Sequence, residues 1–147
     1  MSEPHDVAAA MNRADRVAHH YSMSVDEVAD GRATVSMTVT EVMTNGLGVC
    51  HGGLIFTLAD TAMAYGSNSD DIPTFSTTAT IEWLRPAQAG TRLSATSTRI
   101  AGRGRNHIHD VTVTDELGET VALVRGHTLT TEGSVVERAA GEVESSR

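Results

Sequence analysis

Apolar positions recur at helical spacing between Asp6 and Tyr21. Val7, Met11, Ala14, Val17 and Ala18 fall on one side, with Arg13 and Arg16 between them; this predicts a first helix. A short strand is expected near Met23–Val28, followed by the tight-turn pair Asp30-Gly31. The next segment alternates: Ala33, Val35, Met37 and Val39 share one face, and Arg32, Thr34, Ser36, Thr38 and Thr40 the other. Such a pattern is a half-buried strand. Gly46 and Gly48 make Met43–Cys50 a loop. His51-Gly52-Gly53 then opens a second helix to Ser67. Its sequence is apolar almost all round and rich in small residues, as in a helix buried on most sides.

The remainder reads as strands: Thr74–Leu84, Thr91–Ile100, Asn106–Thr114 and Thr120–Thr130. Gly102-Arg103-Gly104-Arg105 is expected as one turn, and residues 115–119 as a hairpin loop. Residues 1–132 form one predicted domain. The polar stretch 133–147 is expected to be a disordered tail. The sum is an α+β chain: one long helix against an antiparallel sheet of five or six strands, with a helix in front. A sheet with one helix on one face leaves strands uncovered, so pairing between chains is expected.

Composition narrows the function. The net charge is −8 and the chain contains no lysine, which argues against a nucleic-acid partner. An anionic small molecule needs only a few arginines. There is no membrane-length apolar run and no basic-then-apolar leader. The single cysteine, Cys50, fits a reducing compartment, so a cytoplasmic location is expected.

Two features carry chemistry. Asp60 sits mid-helix among Leu58, Ala59, Ala62 and Met63, where an unpaired carboxylate is costly. Either it bonds a backbone group or Arg85, or it does chemical work. His51-Gly52-Gly53 places free N–H groups at a helix start, where glycine lets a carbonyl approach closely. That is either a plain glycine-rich helix start or an oxyanion-type site. Gly52 and Asp60 lie roughly 12 Å apart along one helix, too far for one carbonyl to touch both. Two helices related by a two-fold axis would bring one chain's Gly52 opposite the other's Asp60. His107 and His109 alternate on one strand face, but no third metal ligand is identifiable and a surface position is expected. No metal site is assigned.

The segment running from Asn45 through Cys-His-Gly-Gly to Leu-Ala-Asp60, with Thr80-Ile-Glu-Trp-Leu-Arg-Pro-Ala87 after it, resembles the hotdog-fold acyl-CoA thioesterases of the phenylacetic acid degradation (PaaI) type. The resemblance spans about Thr34 to Thr130. It implies a helix wrapped in a curled sheet, usually a dimer of dimers. The activity implied is acyl-CoA hydrolysis, often of aryl-acetyl or hydroxyphenylacetyl-CoA, with coenzyme A part of the substrate and no other cofactor. Asp60 would be general base or nucleophile, and the partner chain's Gly52 N–H would polarise the carbonyl. Asn45 and His51 would place water or carbonyl, and a hydroxyl from Ser76 or Thr77 would support Asp60. Gly53, Arg85, Arg103 and Arg105 would contact coenzyme A, with Arg103 and Arg105 first for the phosphates. Two other functions compete: a hotdog hydratase or dehydratase using His51 with Asp60, and a non-catalytic acyl-CoA binder with no need of Asp60.

Overall fold

The computed structural model describes residues 2–147. Its elements are α1 (Pro4–Ala14), α2 (Arg16–His20), β1 (Ser24–Ala29), β2 (Arg32–Thr38), α3 (Gly52–Ser67), β3 (Thr74–Trp83), β4 (Arg92–Arg103), β5 (Asn106–Thr114), β6 (Thr120–Thr130) and α4 (Val135–Ser145). All six strands form one antiparallel sheet in the order β1-β2-β4-β5-β6-β3. The connection carrying α3 crosses the sheet from β2 to β3 on the far edge. The helix therefore lies across the concave face.

The core is where the alternating strands meet that helix. Ala33, Val35 and Met37 from β2, Leu93 and Ala95 from β4, and Val111 and Val113 from β5 are buried against Ile55, Leu58, Ala59, Ala62 and Met63. None of these residues is aromatic, and Ala33, Ala59, Ala62 and Ala95 let helix and sheet pack closely. At Gly66 the two backbones come close: a Cβ built there would lie 3.3 Å from the Ala33 backbone nitrogen. Backbone cannot swing aside as a side-chain end can. Gly66→Leu is therefore expected to cost about 1–3 kcal/mol by overpacking, measured as a shift of the urea midpoint at constant slope.

Three expectations need correction. The first helix is two. Asp15 leaves helical geometry (φ −83°, ψ 87°) and caps α2 by accepting from the Ala18 N–H at 3.0 Å. Its other oxygen accepts from the Tyr65 hydroxyl at 3.0 Å. A capping aspartate that also ties down α3 wins over the helical apolar spacing. Second, Gly102 and Arg103 belong to β4, which carries a bulge between Arg99 and Ala101. The turn proper starts at Gly104, whose φ of 62° suits glycine. Third, the expected disordered tail forms α4. Ser134 caps it by accepting from the Glu137 N–H at 3.2 Å. Asp71 anchors it, accepting from the Ser134 hydroxyl at 3.0 and 3.1 Å and from the Val136 N–H at 3.0 Å. Val135 and Ala139 are buried, with α4 packed on α1. The second helix, its end at Ser67, and strands β5 and β6 match expectation.

The two sheet edges differ. Strand β1 is flanked by α1. Strand β3 has a bare edge, and its side chains from Phe75 to Thr80 are exposed. Phe75, Trp83 and Leu84 are 48%, 53% and 59% exposed in the single chain. A ten-residue bare edge with exposed aromatics invites pairing with another strand.

Candidate active site

Asp60 is not in the core. It lies on the one stripe of α3 that the sheet leaves uncovered, with Gly53, Thr57 and Ala64 before and after it at helical spacing. Burial raises its pKa above the ordinary carboxylate range, and a hydrogen bond from Ser76 opposes part of that rise. The Ser76 hydroxyl donates to Asp60 Oδ1 at 3.5 Å. A carboxyl held half out of water, with one weak donor and, among the described residues, no cation against it, keeps its basicity. That is what proton abstraction from water requires.

Ser76 reaches Asp60 because β3 bulges between Ser76 and Thr78. The bulge makes the intervening Thr77 spend its hydroxyl on the His127 carbonyl at 3.2 Å. Of the two hydroxyls left open by the sequence, Ser76 is therefore the one beside the acid. The Thr77 hydroxyl is engaged by the backbone.

The helix start takes shape from the loop before it. Asn45 Oδ1 accepts from the Leu47 N–H at 2.9 Å and the Val49 N–H at 3.4 Å. Asn45 thus folds the loop around residues 45–49. The His51 N–H donates to the Met43 carbonyl at 2.8 Å, and the Cys50 N–H to the Ala87 carbonyl at 2.7 Å. His51 is the N-cap residue, with an exposed side chain that makes no capping bond. The first N–H groups of α3, at Gly52 and Gly53, have no intrahelical carbonyl to bond. Trp83, at the end of β3, donates its indole N–H to the Gly52 carbonyl at 3.1 Å. The end of the bare edge strand is thereby fastened to the start of the helix, as its beginning is to Asp60.

The arginines divide. Arg85 pairs with Glu119 at 3.3 Å, not with Asp60, so the acid is not neutralised across the sheet. Arg125 makes a two-pronged contact with Asp110 at 2.7 and 2.9 Å, which holds the Asp110 carboxyl below its usual range. Arg103 and Arg105 are exposed and, among the described residues, form no ion pair. They stay available for a polyanion. Cys50 is buried, and desolvation raises its thiol pKa, so it is a poor nucleophile.

The histidine pair is not freely exposed: His107 is half-buried. His109 is fully buried on the inner face of the sheet. Its pKa is lowered to about 4 by burial first, then by Arg99 and His107. The signal was present in the strand pattern: His107 and His109 are in phase with Val111 and Val113, the core positions of β5. No group of three metal-ligating side chains is present among the described residues, so the pair remains outside any assigned metal site.

Comparison with known proteins identifies the family and the fold. The sequence matches the Thioesterase superfamily over residues 47–122, the span from the loop before α3 into β6. The chain is 37% identical over 133 residues to the acyl-coenzyme A thioesterase PaaI of Escherichia coli, covering 90% of this chain and 94% of that one. The structure of E. coli PaaI superposes with a TM-score of 0.87 at 36% identity, over 89% of this chain and 95% of that one. A variant of the phenylacetic acid degradation protein PaaI of Thermus thermophilus superposes at 0.76 with 29% identity, over 80% and 100% of the two chains. A Streptococcus mutans protein bound to acetyl-CoA superposes at 0.73 with 25% identity, over 76% and 90%. A sheet curled about one small-residue helix, an acid at mid-helix and a family match across both belong together: the chain is a member of the thioesterase superfamily with the hotdog fold, a thioester hydrolase of the PaaI type.

Proposed function

We propose that the protein hydrolyses aryl-acetyl or hydroxyphenylacetyl-CoA to the free acid and coenzyme A, with Asp60 carrying the attack. The observation behind this reading is the Asp60 carboxyl itself: half-buried on the uncovered stripe of α3 beside β3, raised in pKa, and paired with no cation among the described residues. The substrate follows from the likeness to E. coli PaaI, named an acyl-coenzyme A thioesterase, and from the Thermus relative named for phenylacetic acid degradation.

The groove of one chain is half a site. Trp83 lies by Gly52 and Ser76 by Asp60. Pairing the β3 edges antiparallel about Ala79 would set each chain's Trp83 opposite its partner's Phe75, next to Ser76. Each Gly52 would then approach the partner's Asp60. The shared site so formed has the partner's Gly52 N–H toward the thioester carbonyl oxygen and Asp60 toward its carbon. Gly53 lines the approach, and His51 and the Asn45 loop hold the amide in place. Asp60 takes a proton from water as the oxygen adds to the carbonyl carbon, or adds directly and is released by water. In either course the C–S bond breaks and coenzyme A leaves as a thiolate. With a thiol pKa of about 8.5, that departure needs no strong general acid. Arg103 and Arg105, with Arg85 at the end of β3, serve the coenzyme's phosphates. The working form is a homodimer, assembled further as a tetramer, in the cytoplasm.

Thiol release from phenylacetyl-, hydroxyphenylacetyl-, benzoyl- and straight-chain CoA esters tests the reading. Turnover of the aryl-acetyl esters above the rest supports it. Water addition to an enoyl-CoA, or binding without release, would replace it with a hydratase or a carrier. The acid itself predicts a pH effect. The ionised base is lost as pH falls through a pKa raised above the carboxylate norm, so kcat/KM declines on that acid limb. Ser76→Ala removes the bond that lowers this pKa, so its limb moves to higher pH. An unmoved limb would take Ser76 out of contact with the acid.

A further inference from the structure

A cleft of about 320 Å³ opens on the same stripe of α3 as Asp60, one turn farther along. Its lining includes Ala64 from α3, Met11 and Ala14 from α1, Phe75 at the start of β3, and Val135 and Arg138 from α4. Ala64 follows Asp60 by four positions, so its side chain sits roughly 6 Å farther along the same face. Phe75 immediately precedes Ser76, the donor to Asp60. The walls are mainly apolar, with Asp15, Asn68, Thr74, Arg138 and Glu142 supplying the polar part, and the volume falls at the lower end of small-ligand sites.

The walls are also fixed. Tyr65 holds α1 through Asp15 and accepts from Asn12 Nδ2 at 3.3 Å. Asp71 pins the start of α4. The Arg138 guanidinium lies 5.3 Å from the Phe75 ring centroid, closing one side as a cation–π contact.

We propose that this cleft receives the acyl part of the thioester, that its size and lining select an uncharged aryl-acetyl group over larger acyl chains, and that α4 is a specificity wall. The inference rests on the thioesterase reading of Asp60. A carbonyl carbon beside Asp60 leaves its acyl substituent two ways to go: back toward the helix start, where the coenzyme and the partner's amide must fit, or on along Ala64 into the cleft. Only the second offers a walled and mainly apolar surface.

The test compares kcat/KM ratios in the full-length protein. Ala14→Phe fills the cleft from α1, at a half-exposed position. It is expected to lower the phenylacetyl-CoA to acetyl-CoA ratio at least tenfold, the scale on which apolar pockets discriminate. Phe75→Ala, at a position 48% exposed, widens the mouth and is expected to raise the decanoyl-CoA to phenylacetyl-CoA ratio several-fold. It carries the test alone should Ala14→Phe fail to fold. Both ratios unmoved in folded, active variants would overturn the proposal. So would dissociation of the dimer by Ala14→Phe with the ratio unchanged, which would mean that a second copy fills the cleft. A wild-type protein that hydrolyses none of these esters would fail at the earlier step and take the thioesterase reading with it.

Discussion

Asp60→Asn is expected to lower kcat for acyl-CoA hydrolysis by about a thousandfold, within the range that general bases contribute. KM should stay within about threefold, because the substitution keeps shape and removes only the proton acceptor. The carboxyl is half-buried on the uncovered stripe of α3, and among the described residues no cation is paired with it, so neutralising it leaves no orphaned charge. The thermal midpoint should therefore hold or rise slightly while activity is lost. Stopped-time thiol release and calorimetry on one preparation separate the two effects. Activity within tenfold of wild type would remove Asp60 from the chemistry and favour a carrier.

Gly52→Pro is expected to lower kcat by about a hundredfold to a thousandfold, the usual loss when one oxyanion donor is removed. Proline suits the first position of a helix. His51 already has the extended backbone that proline demands of its predecessor, with φ −58° and ψ 132°. The backbone thus accepts the change, and the N–H is what disappears. One side effect needs a control. A Cβ at this position would lie 3.0 Å from the Trp83 indole nitrogen, which must shift by a few tenths of an ångström. Gly52→Ala brings the same Cβ and keeps the N–H. The ratio of the two variants isolates the amide. Equal losses would assign the effect to Trp83 and its hydrogen bond, not to carbonyl polarisation.

Most of the architecture was legible because the chain obeys its periods. The alternation in β2 and the small, apolar length of α3 each admit one placement, and the structure realises both. The segment from Asn45 to Asp60 also identified the family before any coordinates. What escaped is instructive in physical terms. The split of the first helix depends on Asp15 serving Ala18 and Tyr65 together, and Tyr65 is fifty positions away. Helix α4 was misread from its charge. Yet Ser134-Val-Val-Glu137 is the pattern of a capped helix start, and Val135, Ala139 and Val143 recur at helical spacing. The choice of Ser76 over Thr77 rests on a bulge, and no one-residue shift in a threonine-rich strand can be read from residue types. His109 is legible in the strand pattern: a histidine in phase with the core valines Val111 and Val113 belongs to the core face.

Those local misses leave the larger question of whether the site is shared. Within one chain the acid and the amide sit on the same helix, two turns apart, and the strand that would bring a second chain into register is bare. A mixed dimer answers directly. Asp60→Asn and Gly52→Pro chains carrying different tags can be co-expressed and their heterodimer isolated. A shared site predicts that each parent is nearly inert, while the heterodimer, holding one intact and one doubly damaged site, recovers about half of wild-type turnover. A heterodimer as inert as its parents would place acid and amide in the same chain's site and contradict the two-chain active site.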